Sequence, residues 1–155
     1  MKKLLFIFAL VVGGYYVSNA QTPADIYNTF ASDTKVTTIS VSDFAIKLAG
    51  ENDDLVKNIE SIQVLSLSNC DVDVKDRFAK AVNSLKTEGF ETLVKVNHDD
   101  KTVKVFAKVN NDIINELLVV TTGKYPVLIV LKGSISKSEL MSKSNTLSKN
   151  FSLNM

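Results

Sequence analysis

Residues 90–110, FETLVKVNHDDKTVKVFAKVN, decide the fold. Phe90, Thr92, Val94 and Val96 alternate with Glu91, Leu93, Lys95 and Asn97. Further on, Val103, Val105, Ala107 and Val109 alternate with Thr102, Lys104, Phe106 and Lys108. A period of two is the period of a strand, because successive side chains leave a pleated backbone on opposite sides. Between the two runs, Asn97-His98-Asp99-Asp100-Lys101 supplies residues that tolerate left-handed backbone. The stretch therefore predicts two antiparallel strands joined by a hairpin turn.

Toward the C-terminus the strand pattern continues. Ile114 to Thr122 and Val127 to Lys132 read as two more strands around a Gly123-Lys124 turn, with Pro126 near a strand start, where a missing N–H does least harm. Leu117 to Val120 and Val127 to Leu131 are apolar at every position, so both faces of these strands call for burial. Either they are central strands covered on both sides, or one side is an apolar surface that binds a partner or a second copy. Leu117, Val119, Leu128 and Val130 are the candidate interaction face on the second view. Ser136-x-x-Glu139 then has the form of a capping box, with Ile135 and Leu140 as its hydrophobic staple. It opens a closing helix to about Leu147, and residues 148–155 are expected to fray.

Toward the N-terminus the period becomes helical. Val74, Phe78, Ala81, Val82 and Leu85 recur at three- and four-residue spacing, with Asp73 as cap and Gly89 as stop. Ile59 to Leu67 and Val36 to Val41 read as strands. Ser42 caps a short helix carrying Phe44 and Leu48 and ended by Gly50, and Asp53 or Asp54 caps another turn. Gln21 to Lys35 is a polar lead-in with a loose helical turn around Ile26 to Phe30. Before it, Lys2-Lys3, the apolar run Leu4 to Val12, the Gly13-Gly14 break and Ser18-Asn19-Ala20 make the three parts of a secretory signal peptide. Cleavage is expected between Ala20 and Gln21. Its apolar stretch, even extended to Val17, is shorter than the roughly 20 residues that span a bilayer. No later segment is long enough either. The chain therefore divides into a signal peptide, 1–20, a lead-in, 21–35, one domain, 36–147, and a tail. Strands and helices in this order give an α+β fold with two layers, a mainly antiparallel sheet carrying helices on one face.

Composition narrows the chemistry. The chain has 18 basic and 17 acidic residues, and removing Lys2 and Lys3 leaves 16 against 17. Arg77 is the only arginine, so there is no footprint for nucleic acid and no guanidinium clamp for phosphate. His98 is the only histidine and sits in a turn beside Asp99 and Asp100; adjacent residues rarely converge as a Ser-His-Asp site does. One His, one Cys and scattered carboxylates do not make a zinc set, and Asp99-Asp100 lacks calcium-loop spacing. Asp71, Asp73 and Asp76 suit a helix start without any cation. No catalytic residue, metal site or cofactor is expected. Cys70 is the sole cysteine, so an internal disulfide is impossible; its thiol is either buried or available to another molecule.

The segments ETLVKVNHDDKTVKVFAKVNNDIINELLVV (91–120) and YPVLIVLKGSIS (125–136), with VTTISVSDFAIKL (36–48) before them, resemble the family known as domain of unknown function 4252. The resemblance runs from about Phe30 to Leu140. It implies a small exported protein of the Bacteroidota kind, often a lipoprotein, and it brings no catalytic residues. A lipobox cysteine is missing here, which favours a soluble periplasmic or secreted form. The expected function is a non-catalytic module of the cell envelope that binds an envelope protein or itself. The alternative is a small exported hydrolase whose carboxylates or hydroxyls converge in the fold.

Overall fold

A computed structural model describes residues 21–42, 45–46 and 54–142. The signal segment 1–20, most of the helix expected after Ser42, and the chain beyond 142 lie outside the described residues. The elements are α1 (Pro23–Phe30), β1 (Thr37–Ser42), α2 (Asp54–Lys57), β2 (Ile59–Ser66), α3 (Val72–Asn83), β3 (Glu91–His98), β4 (Lys101–Asn110), β5 (Ile113–Thr121) and β6 (Val127–Ser136). Helical backbone follows β1 at 45–46 and β6 at 137–142. The six strands form one sheet in the order β1-β2-β6-β5-β4-β3, and every neighbouring pair is antiparallel. The α+β, helix-and-antiparallel-sheet architecture expected from the pattern is the one observed.

The predicted hairpin is β3–β4, closed by Asp99 and Asp100, with Asp99 at φ 50°. A second two-residue turn, Asn111-Asp112, joins β4 to β5 with both residues at positive φ, 48° and 64°. That backbone matches the twist of the flanking strands, and Asn and Asp bear it better than branched residues do.

One face of the sheet carries the main core. Leu65, Leu118, Val120, Leu128, Val130 and Phe106 face Ile26 and Phe30 of α1 and Phe78 and Val82 of α3, and all are buried. Phe30 meets Phe78 edge to face, ring centroids 5.4 Å apart. Arg77 Cζ lies 5.6 Å from the centroid of the Phe30 ring, and its guanidinium grips Asp33 through two contacts of 3.1 and 3.2 Å. The helices thus close the core with aromatic contact inside and a charge pair at the rim.

Three elements differ from expectation, the first being β6, which runs on to Ser136 and not only to Lys132. Residues 23–30 form a complete helix of the core, not a loose turn: Thr22 and Asp25 make a reciprocal capping box, at 3.2 and 2.9 Å, and Pro23 occupies the first turn, where its missing N–H costs nothing. The helix α3 starts two residues earlier and stops sooner than the spacing suggests. Asp71 is its N-cap and Ser84 its C-cap, and Leu85 leaves the helix to form a bridge with Gln21. Gly89, at φ 84°, serves the turn into β3.

Gly133 marks a close backbone approach. The β2–β6 register slips between Ile59 and Ser61, and the Asn58 carbonyl accepts the Ser134 N–H at 2.8 Å. A methyl group on Gly133 would collide with that Asn58 oxygen and stand 3.0 Å from the Ile59 Cα. Gly133→Ala should therefore lower stability by about 1–3 kcal/mol, as overpacking does, measured as a lower urea midpoint with unchanged far-ultraviolet circular dichroism.

Candidate functional site

The strands β5 and β6 are apolar on both sides, so the sheet has a second apolar face besides the one under α1 and α3. Following the register from edge to edge, Ile39, Val64, Ile129, Val119, Val105 and Val94 stand in one row across all six strands. Beside it runs Val41, Ile62, Leu131, Leu117 and Ala107, ending at Glu91. The first row is half-buried over the central strands and open at its ends, where Ile39 is 51% and Val94 41% exposed.

One end of this face has a cover. Ala107, Ile114 and Ile135 are buried in a second cluster with Ile59, Val109, Leu117, Leu131 and Leu140. Ile135 and Leu140 thus share a cluster as the expected staple requires. Ser136 is the last strand residue, however, and its hydroxyl meets Ser138 at 2.8 Å. Bulges bring Ile114 onto this side: Lys108 and Val109 are consecutive, while their partners Glu116 and Ile114 are two apart, which leaves Asn115 as the extra residue.

The four residues singled out in the sequence divide between faces. Leu117 and Val119 belong to the second face and are half-buried; Leu128 and Val130 point the other way and are buried under the helices, 0% and 3% exposed. Their second-face counterparts on β6 are Ile129 and Leu131. Strand alternation explains the division, since a run apolar at every position gives no phase. The edge residues Ile39 and Val94 are visible in the sequence only as parts of the strands read at 36–41 and 90–97, not as members of one face.

Cys70 is buried in the main core cluster, 7% exposed, with its Sγ–H directed at the Thr34 carbonyl, 3.6 Å away. Burial, and then the Asp33 carboxylate, push the thiol above its ordinary pKa. Reaction with another molecule would require the Thr34 segment to open.

The polar groups are spread out. His98 Nδ1 lies 3.0 Å from Asp99 Oδ2, both side chains being largely exposed in their turn. Lys75 Nζ donates to the Ser68 and Lys124 carbonyls, 3.0 Å each, tying α3 to the β5–β6 connection beside a cavity of about 480 Å³ that also takes in Asp76 and Asp100. Among the described residues, no three His, Cys, Asp or Glu gather as a metal set, and no helix is long and apolar enough to cross a membrane.

Residues 27–142 match the model of a family described as domain of unknown function (DUF4252). The chain belongs to that family. The matched span takes in all of β1 to β6 and begins inside α1, so the family domain and the two-faced sheet coincide. No curated protein and no solved structure matches the chain.

Two measurements check these placements. Leu128→Ala should cost about 2–5 kcal/mol in urea unfolding, the range for a buried leucine. For Cys70, the raised folded pKa means that its contribution is whole below the ordinary thiol range and lost as pH rises through the folded value. Iodoacetamide should therefore label the thiol in urea but not in the native protein, and an alkaline fall in stability should be shallower in Cys70→Ala.

Proposed function

We propose that this chain is an exported domain of the cell envelope, soluble in the periplasm or secreted once residues 1–20 are removed, and that it works by binding protein rather than by catalysis. Its partner is in the first place a second copy of itself. Export rests on the tripartite N-terminal pattern, from Lys2-Lys3 to Ala20.

The observation that carries the self-association is the contrast between the two edges of the sheet. Edge strands present unpaired N–H and C=O groups, and proteins commonly blunt them with charges, proline or a bulge. The edge β3 is blunted in this way: its register slips between Thr92 and Val94, and it carries Glu91 and Lys95. The edge β1 is not. TTISVS has no charge and no proline, and it pairs with β2 without interruption from Thr37↔Ser66 to Ser42↔Ser61. Its middle residue, Ile39, is the exposed end of the apolar row.

A second copy related by a two-fold axis normal to the sheet satisfies all of this. Antiparallel pairing that sets Ile39 opposite its counterpart overlaps nearly the whole of β1 and keeps equivalent faces on one side. Within β1 it brings no like charges together, and it continues the apolar row across the axis. Two-fold pairs are also the commonest assemblies of soluble proteins.

Sedimentation velocity on protein recovered after export of the full chain tests the reading. A dimer is expected, with Ile39→Lys converting it to a monomer of unchanged melting temperature and Val96→Lys, toward the β3 edge, leaving it intact. A wild-type monomer at its highest soluble concentration would sink self-pairing. A different protein that co-purifies and is lost in Val119→Lys would transfer the second face to that partner.

A further inference from the structure

Across the four central strands the two rows of the second face, from Val64 to Val105 and from Ile62 to Ala107, hold no charged residue. Their middle side chains, Leu117, Val119, Ile129 and Leu131, are half-buried, whereas α1 and α3 bury Leu118 and Leu128 on the opposite face completely. A chargeless patch of this kind marks a surface that another element occupies. Leu140 is the one member of the second cluster that no strand supplies.

The chain therefore stands on this face at the point where the described residues stop. The Lys137 N–H donates to the Asp112 carbonyl at 2.9 Å, which ties the first residue after β6 to the β4–β5 turn. Helical backbone runs from there to 142 and brings Leu140 into the cluster. Residues 143–155 follow, with Leu147 and Phe151 seven and eleven positions beyond Leu140. These intervals are close to two and three whole turns at about 3.6 residues per turn, so helical spacing sets all three side chains in one stripe. Ser144, which adds little bulk, falls in the same stripe, and Lys149 falls opposite it. At a rise of about 1.5 Å per residue the stripe from Leu140 to Phe151 measures about 16 Å. The strand positions Leu131 to Val127 span about 13 Å, a close match.

We propose that the second face is the docking site of this chain's own C-terminal segment: the helix begun at Lys137 runs back along β5 and β6 and lays Leu147 and Phe151 over Val119 and Ile129. An element that reverses directly after a strand packs beside that strand. Leu140 already anchors the segment at the face, so it competes there at an effective concentration on the order of millimolar, ahead of a free partner or a second copy. The contact joins aliphatic and aromatic groups to a surface without charge, and Lys149 keeps its ammonium in water. Ile39 lies two strands to the side of β6, about 10 Å away, and stays open. Docking of the segment is thus compatible with pairing at the β1 edge and does not depend on it.

Nuclear magnetic resonance on the full chain as recovered from its host tests the docking. Nuclear Overhauser contacts are expected between the Phe151 ring and the methyl groups of Val119 and Ile129. They should persist when labelled chain is refolded together with an excess of unlabelled chain. Leu147→Asp and Phe151→Asp should each shift those methyl resonances, leave those of Leu128 and Val130 in place, and raise the fluorescence of anilinonaphthalene sulfonate several-fold. Lys149→Asp, on the opposite side of the stripe, should do none of this. Contacts that disappear on dilution with unlabelled chain would give the face to a second copy's segment and overturn the proposal. It would equally be overturned if the wild type showed no such contacts and bound the dye as strongly as the two aspartate variants, which would leave the face to a different partner.

Discussion

The constraint on which the rest of the structure depends is that β5 and β6 are apolar on both sides. A single layer of helices satisfies one side only. The helices α1 and α3 do this with Ile26, Phe30, Phe78 and Val82 over Leu118, Val120, Leu128 and Val130. The other side must find its own cover, and over the described residues it does so at one end, where Leu140 joins Ile114 and Ile135. Everything of functional interest follows from the remainder: a row of branched aliphatic side chains that runs unbroken from Ile39 to Val94.

Irregularities in the sheet are what shape that remainder. The slip at Leu93 weakens β3 as a template for further strands, and the extra residue at Asn115 turns Ile114 into the second cluster. Near Gly133 the sheet and the Asn58 segment come so close that no side chain fits. Each of these spends regular pairing on a local change of direction. The edge β1 shows no such slip along its whole length with β2, and that regularity makes it the more open of the two edges to another strand.

Much of this architecture was legible in the sequence because it is written in periods. Alternation in 90–110 named the hairpin, and the spacing of Val74, Phe78 and Val82 named the face of α3. The α1 helix was harder to see: its capping box uses aspartate at the third position, not the usual glutamate, and Pro23 made the segment read as a lead-in. The candidate site was half legible. A strand apolar throughout announces that both faces are buried, but it cannot say which residues share a face. Leu117 and Val119 therefore stood in the same list as Leu128 and Val130, although the sheet separates them. The row that unites Ile39 with Val94 depends on five pairings and their bulges, which lie beyond any local pattern.

The pairing of β2 with β6 has a consequence for how the chain comes to be folded. These strands are neighbours in the sheet although β3, β4 and β5 lie between them in the chain. The β3-β4-β5-β6 meander can form from local hairpins, but β1 and β2 have no sheet to join until the last strand has been made. Closing so long a loop before any contact rewards it is slow. On the export we propose, which would draw the chain through N-terminus first, such delay is useful: β2 has no β6 to pair with until the trailing half has crossed.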